Sequence, residues 1–145
     1  MSVEEGSDRQ VLGWQRAENA LIALSIFIVL IAWGHPWWLL LVAFLAFDLS
    51  ALGYLVSQRV GAFSYNLVHN YAVPAILVSS WAVLQLGDVN ANGLVLVAAC
   101  WGFHVAVDRA LGYGLKLGPF AHTHLGVIGK DRRIEMQRAS ASRSS

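Results

Sequence analysis

Asp48, His69 and His104 are a carboxylate and two imidazoles, each set in a different long apolar run of the chain. A carboxylate with two neutral imidazoles is a donor set suited to a divalent metal, with zinc or iron the first candidates. Asp108 follows His104 by four residues, so a helix stacks the two on one face. It could complete the ligand set, or act as an acid or base beside it. Tyr65 and Asn66 lie one turn from His69 and could donate hydrogen bonds behind the ligands. Glu18, at the mouth of the first run, is a second candidate acid or base. No tight ligand motif such as HExxH is present.

These residues stand out because of where they sit. A charged side chain near the centre of a membrane helix costs roughly 2.5–3.5 kcal/mol, so it usually faces a partner, a cavity or a site. A competing reading needs no chemistry: an Asp–His pair and an Asn can clamp short helices by hydrogen bonding alone.

The elements that position them follow from composition. Of 145 residues, 57% are hydrophobic and 13% charged, and the mean hydropathy is +0.54. A soluble domain carries about 25% charged residues, so the chain reads as one integral membrane domain in contact with the lipid bilayer. The net charge of +1 gives no basic surface for nucleic acid. The single Cys100 excludes an intrachain disulfide. The first apolar run continues without a convincing cleavage site, which predicts an uncleaved helix rather than a secretory signal.

Four spans are expected, near residues 17–33, 37–56, 62–85 and 93–112, giving an all-α four-helix transmembrane bundle. Gly34, His35 and Pro36 should end the first span. Gln58, Arg59 and Gly61 should form the turn before the third, and Pro74 should kink it. Gly53 and Gly61 are small enough to let helices approach. Lys and Arg fall in the leader, in the second turn and after the fourth span, and are absent from the other two loops. That alternation predicts both termini in the cytoplasm of a multi-pass inner (plasma) membrane protein. Residues 1–16 are then a polar cytoplasmic leader and 17–129 the membrane domain, with 130–145 a disordered Ser/Arg-rich tail. The Gly-rich stretch after the fourth span should lie at the cytoplasmic interface or fold back over the bundle mouth.

With this topology as a ruler, Asp48 and His104 lie roughly 13 Å and His69 roughly 10 Å from the cytoplasmic end, by helix rise. One polar layer in the cytoplasmic half is therefore expected, under an apolar outer half. His122 and His124 lie outside the spans, where His124 could cap the layer. His35 is expected to be interfacial.

The motifs occur in a recognisable order. They are Arg16-Ala-Glu18-Asn19, then Phe47-Asp48-Leu49-Ser50-Ala51-Leu52-Gly53-Tyr54, then Gly61-Ala62 with Tyr65-Asn66-Leu67-Val68-His69-Asn70-Tyr71 and Pro74. His104, Asp108-Arg109-Ala110-Leu111-Gly112-Tyr113-Gly114-Leu115-Lys116, Phe120 and Thr123-His124-Leu125-Gly126 complete the set. Over most of residues 14–129 the chain resembles the bacterial domain-of-unknown-function family numbered 4260, small membrane proteins with no assigned activity. The resemblance implies that Asp48, Tyr54, Tyr65, Asn66, His69, His104, Asp108, Arg109 and His124 fall at motif positions, with Arg109, His124 and Tyr54 at the rim. It supplies no reaction.

Three functions follow from these residues. One is a metal-dependent enzyme acting on a membrane-embedded, lipid-like substrate. Another is a proton- or cation-handling transport protein, working as a homo-oligomer. The third is a structural membrane subunit whose polar residues only pack helices.

Overall fold

A computed structural model describes residues 3–124, 126, 127, 134 and 137. Apart from Ile134 and Gln137, the expected tail of 130–145 lies outside them. The order is α1 (Val3–Ala32), α2 (Trp38–Asp48), a 3₁₀ helix (Leu49–Leu55), α3 (Gln58–Val68), α4 (Ala72–Gln85), α5 (Asn92–Leu111), β1 (His122–Thr123) and β2 (Gly126–Val127). Four helical segments are long and apolar enough to cross a membrane: Gln10–Ala32, Trp38–Leu55, Gln58–Gln85 and Asn92–Leu111. The fold is therefore mostly helical, and the chain after α5 adds an antiparallel hairpin of two residues per strand.

Each boundary has a local cause. Gly34 ends α1 at φ 83°, a left-handed conformation only glycine adopts freely, and His35 N–H returns to Leu30 O at 3.0 Å. Gly112 ends α5 in the same way at φ 93°, with Tyr113 N–H on Asp108 O at 2.8 Å. α1 reaches back through the polar leader to Val3. Ser57 caps α3, its hydroxyl accepting from Val60 N–H at 3.1 Å. Gln58, Arg59 and Gly61 consequently lie inside α3, and the turn before the third span is shorter than the sequence suggested.

Two spans are discontinuous. The second changes from α to 3₁₀ immediately after Asp48. The third breaks at 69–71, not at Pro74, which sits in the first turn of α4 where a missing N–H costs nothing. Backbone freed at membrane depth must be paired, since each unsatisfied group in hydrocarbon costs several kcal/mol. Side chains pair it here. Asn70 Nδ2 donates to Asn66 O at 2.6 Å and to Leu67 O at 2.8 Å. Trp101 Nε1 donates to Val68 O at 2.6 Å, and Asn70 Oδ1 accepts from Ala72 N–H at 2.8 Å.

α5 is the hub, packing against α1, α2 and α4, while α3 packs against the 3₁₀ helix. Its apolar window is 39% buried, against 6–11% for the other three. In one half of the bundle Leu30, Leu40 and Cys100 form an apolar core with Ile26, Ala43, Phe47 and Phe103 around it. In the other half, Gly53 and Gly61 bring the 3₁₀ helix and α3 together. A methyl group on Gly61 would overlap the Tyr54 ring.

Candidate metal centre

The discontinuities place the ligand-type side chains. Asp48 projects from the α-to-3₁₀ junction, His69 from the break between α3 and α4, and His104 and Asp108 from adjacent turns of α5. One ligand atom each from Asp48, His69 and His104 lies within 4.8 Å of the others. His69 Nε2 is 2.9 Å from His104 Nε2, 3.6 Å from Asp48 Oδ1 and 3.4 Å from Asp108 Oδ2. His104 Nε2 is 3.8 Å from Asp48 Oδ1 and 4.0 Å from Asp108 Oδ2. Ligands about 2.0–2.2 Å from a tetrahedral zinc are ~3.3–3.6 Å apart, so these separations bracket the edges of such a site.

Hydrogen bonding fixes one tautomer. His69 Nδ1 lies 2.9 Å from Tyr65 O, and a carbonyl can only accept, so Nδ1 carries the proton and Nε2 turns a lone pair inward. The Tyr65 ring stacks on His69 with centroids 3.5 Å apart, and its hydroxyl donates to Asp108 Oδ2 at 3.0 Å. His104 is fully buried against Phe44 and Phe47, and its Nδ1 has no hydrogen-bond partner among the described residues. Because His69 Nε2 carries a lone pair, His104 Nε2–H donates to it, leaving a bare Nδ1. Holding a metal through Nε2 would move that proton to Nδ1, where no acceptor waits. His104 is thus the costliest of the ligands to recruit.

The centre is closed on one side and open on another. His69, His104, Asp108 and Tyr65 are buried, yet the Asp48 side chain is 48% exposed. Leu45 and Leu41, one and two turns back on the same face of α2 by helical spacing, are exposed as well. Below the centre, the chain after α5 folds back. Asn66 clamps Lys116 at both backbone atoms, Oδ1 to N–H at 2.6 Å and Nδ2 to O at 2.9 Å. The buried Lys116 ammonium lies over the Phe120 ring at 3.9 Å and the Tyr65 ring at 4.6 Å, and donates to Phe120 O at 2.9 Å. Burial pushes its pKa down to about 8, against the opposing pull of Asp108. Tyr54 O–H donates to Gly118 O at 3.2 Å.

The residues expected at the site therefore divide. Asp48, His69, His104 and Asp108 converge, with Tyr65 behind them. Asn66 serves the returning chain rather than the ligands. Tyr54 touches that chain, and Arg109 meets His124 (Nη1 to Nε2, 2.7 Å). Glu18 lies on the exposed face of α1 and makes no hydrogen bond or ion pair among the described residues. His122 is exposed on β1. Lys116 and Asn70 occur among the motifs with no role attached to them, and Trp101 is not among them. A lone Lys in a Gly-rich apolar stretch was a signal for the first, and an Asn four residues before a Pro for the second.

Four spanning-type helices around an Asp/His cluster define a multi-pass membrane protein with a polar centre among its helices. The family model described as domain of unknown function (DUF4260) matches residues 13–128, and the chain belongs to that family. No curated protein and no solved structure matches it.

Proposed function

We propose that this protein is a metal-dependent membrane enzyme whose centre is held by Asp48, His69 and His104, with Asp108 beside it as the acid or base and the fourth position left open. The observation that carries the reading is the convergence of four ligand-type atoms from three spans at 2.9–4.0 Å. Admitting a zinc-sized ion requires the His69–His104 contact to open by about 0.4 Å, judged from tetrahedral edge lengths. The ion would supply Lewis acidity. Asp108, held by the Tyr65 hydroxyl, stands where it would take or return a proton.

The half-exposed Asp48 among exposed leucines supports a substrate that arrives from within the bilayer. The buried polar side chains of the described residues, His69, His104, Asp108, Lys116 and Thr123, all lie in one half. The apolar core around Leu30 and Cys100 fills the other, which disfavours a conduction path through one chain. The Arg16, Arg59, Arg109 and Lys116 end would face the cytoplasm of a bacterial plasma membrane, with both termini on that side.

Metal analysis of the detergent-purified chain tests the reading. Near-stoichiometric zinc or iron is expected, lost in Asp48→Asn and His69→Ala variants that keep their helical content. A wild-type chain that neither retains nor takes up either metal would overturn it. Cation flux in liposomes abolished by Asp48→Asn would replace it with a transport role.

A further inference from the structure

Two arginines reach the last turn of α5, Arg109 from within it and Arg16 from α1, on the rim of the centre. The glycine turn at Gly112 uses Asp108 O and Arg109 O, and Arg16 of α1 donates Nε to the next carbonyl, Ala110 O, at 2.8 Å. A cation at a helix C-terminus is stabilising by about 0.3–1 kcal/mol, which accounts for that contact. It does not account for the terminal nitrogens of Arg16, which have no acceptor among the described residues. Arg109 is similarly short of acceptors. Its Nη2 reaches only His69 O, at a long 3.4 Å, and its Nη1 faces His124 Nε2.

His124 cannot serve Arg109 fully. Partial burial, and then Arg109 itself, hold its imidazole below the usual histidine range, so it is neutral at pH 7. A neutral imidazole has one lone pair. Leu115 N–H already points at Nδ1 from 2.8 Å, so the same pair cannot also accept from Arg109. Neither arginine forms an ion pair among the described residues, although Asp108 is adjacent to one of them. Asp108 is turned inward to Tyr65 and His69. Glu18 follows Arg16 by two residues, about 200° around the helix, and pairs with neither arginine.

Arg109 is two residues from the end of Asn92–Leu111, and Arg16, six residues inside Gln10–Ala32, reaches that same end through Ala110 O, the level expected for lipid headgroups. A guanidinium fork with unused donors fits phosphate oxygens in bidentate fashion. His69 connects this rim to the centre, because its carbonyl meets Arg109 while its ring faces Asp48. We propose that Arg16 and Arg109 together bind the phosphate group of a membrane lipid, and that a phosphate-bearing lipid is the substrate class presented to the Asp/His centre. The second half of this rests on the metal-centre reading; the first half stands without it.

The full chain in neutral detergent, titrated with dihexanoyl phosphatidic acid and read by native mass spectrometry, tests it. Saturable binding is expected, weakened about tenfold or more in Arg16→Gln and Arg109→Gln, as loss of a charge-assisted bond implies. Arg59→Gln removes an exposed cation at the same end and should leave binding unchanged. Equal losses in all three, or in none, would reduce the rim to general attraction and overturn the proposal. Arg16→Lys keeps charge and helix cap but loses the fork, so weakened binding in this variant with unchanged thermal stability supports a bidentate site. Undiminished binding in it argues against one. Competition by millimolar inorganic phosphate would assign free phosphate as the ligand, whereas its failure supports the lipid. Metal content measured on the same samples separates the two readings: arginine variants should keep the metal, and His69→Ala should lose metal while still binding the lipid.

Discussion

The two halves of the bundle are built from the same helices by different forces. Around Leu30, Leu40 and Cys100, α1, α2 and α5 meet through side chains without polar partners. Lipid is as apolar as leucine, so this half is held by close packing rather than by a hydrophobic driving force. Around His69, His104 and Asp108 the same α5 meets broken spans, and hydrogen bonds fix the geometry. Packing tolerates exchange of one apolar shape for another. A network of short polar contacts tolerates little, because each orphaned group is costly in a low dielectric. One half provides the frame and the other the specificity.

Substitutions can break that division. His69→Ala should have the largest effect, abolishing metal retention, whereas His104→Ala should leave weak binding, because its Nδ1 lacks an acceptor to support ligation; metal titration of the two variants gives the order. In the apolar half, Leu30→Ala should cost about 2–3 kcal/mol of stability by opening a packing defect. Metal content should be unchanged, and unfolding in bicelles measures the loss. Should it also remove metal, the two halves are not separable. Tyr65→Phe keeps the stacked ring and deletes the bond to Asp108, so metal affinity should fall about tenfold with stability little altered. Competition with a chelator would show it.

A separate effect concerns pH. Lys116 releases its proton at about 8 in the folded chain, below its usual 10.5. Between those values the unfolded chain binds more protons, so stability should rise with pH across that window and be flat below it. The thermal midpoint of wild type, measured relative to Lys116→Met, should therefore climb between pH 8 and pH 10. A difference that stays constant with pH would show that the ammonium pays no burial cost in its aromatic box.

Several features are legible in the sequence alone. Long apolar runs give spanning helices because hydrocarbon leaves backbone groups no other partner, and Gly34 and Gly112 mark their ends. The polar positions were equally plain, since charge in an apolar run is conspicuous. Legibility failed at the breaks. Pro74 signals a kink in the sequence, but a proline in a first turn disturbs nothing, and the interruption at His69 depends on Asn70, Trp101 and Arg109 meeting carbonyls left by neighbours. Asn66 was assigned to the ligands by its spacing alone, yet the returning Lys116 segment claims both of its amide atoms.

The sequence by itself determined the number of spans, the glycine stops at Gly34 and after the fourth span, and the polar residues the spans carry, because those follow from local propensity and the cost of burial. Only the tertiary structure decided that Asp48, His69, His104 and Asp108 share one centre. It also decided that Glu18 stays outside and that Asp48 is left half exposed. Helix rise sets depth along an axis, whereas rotation about that axis is set by what each helix packs against.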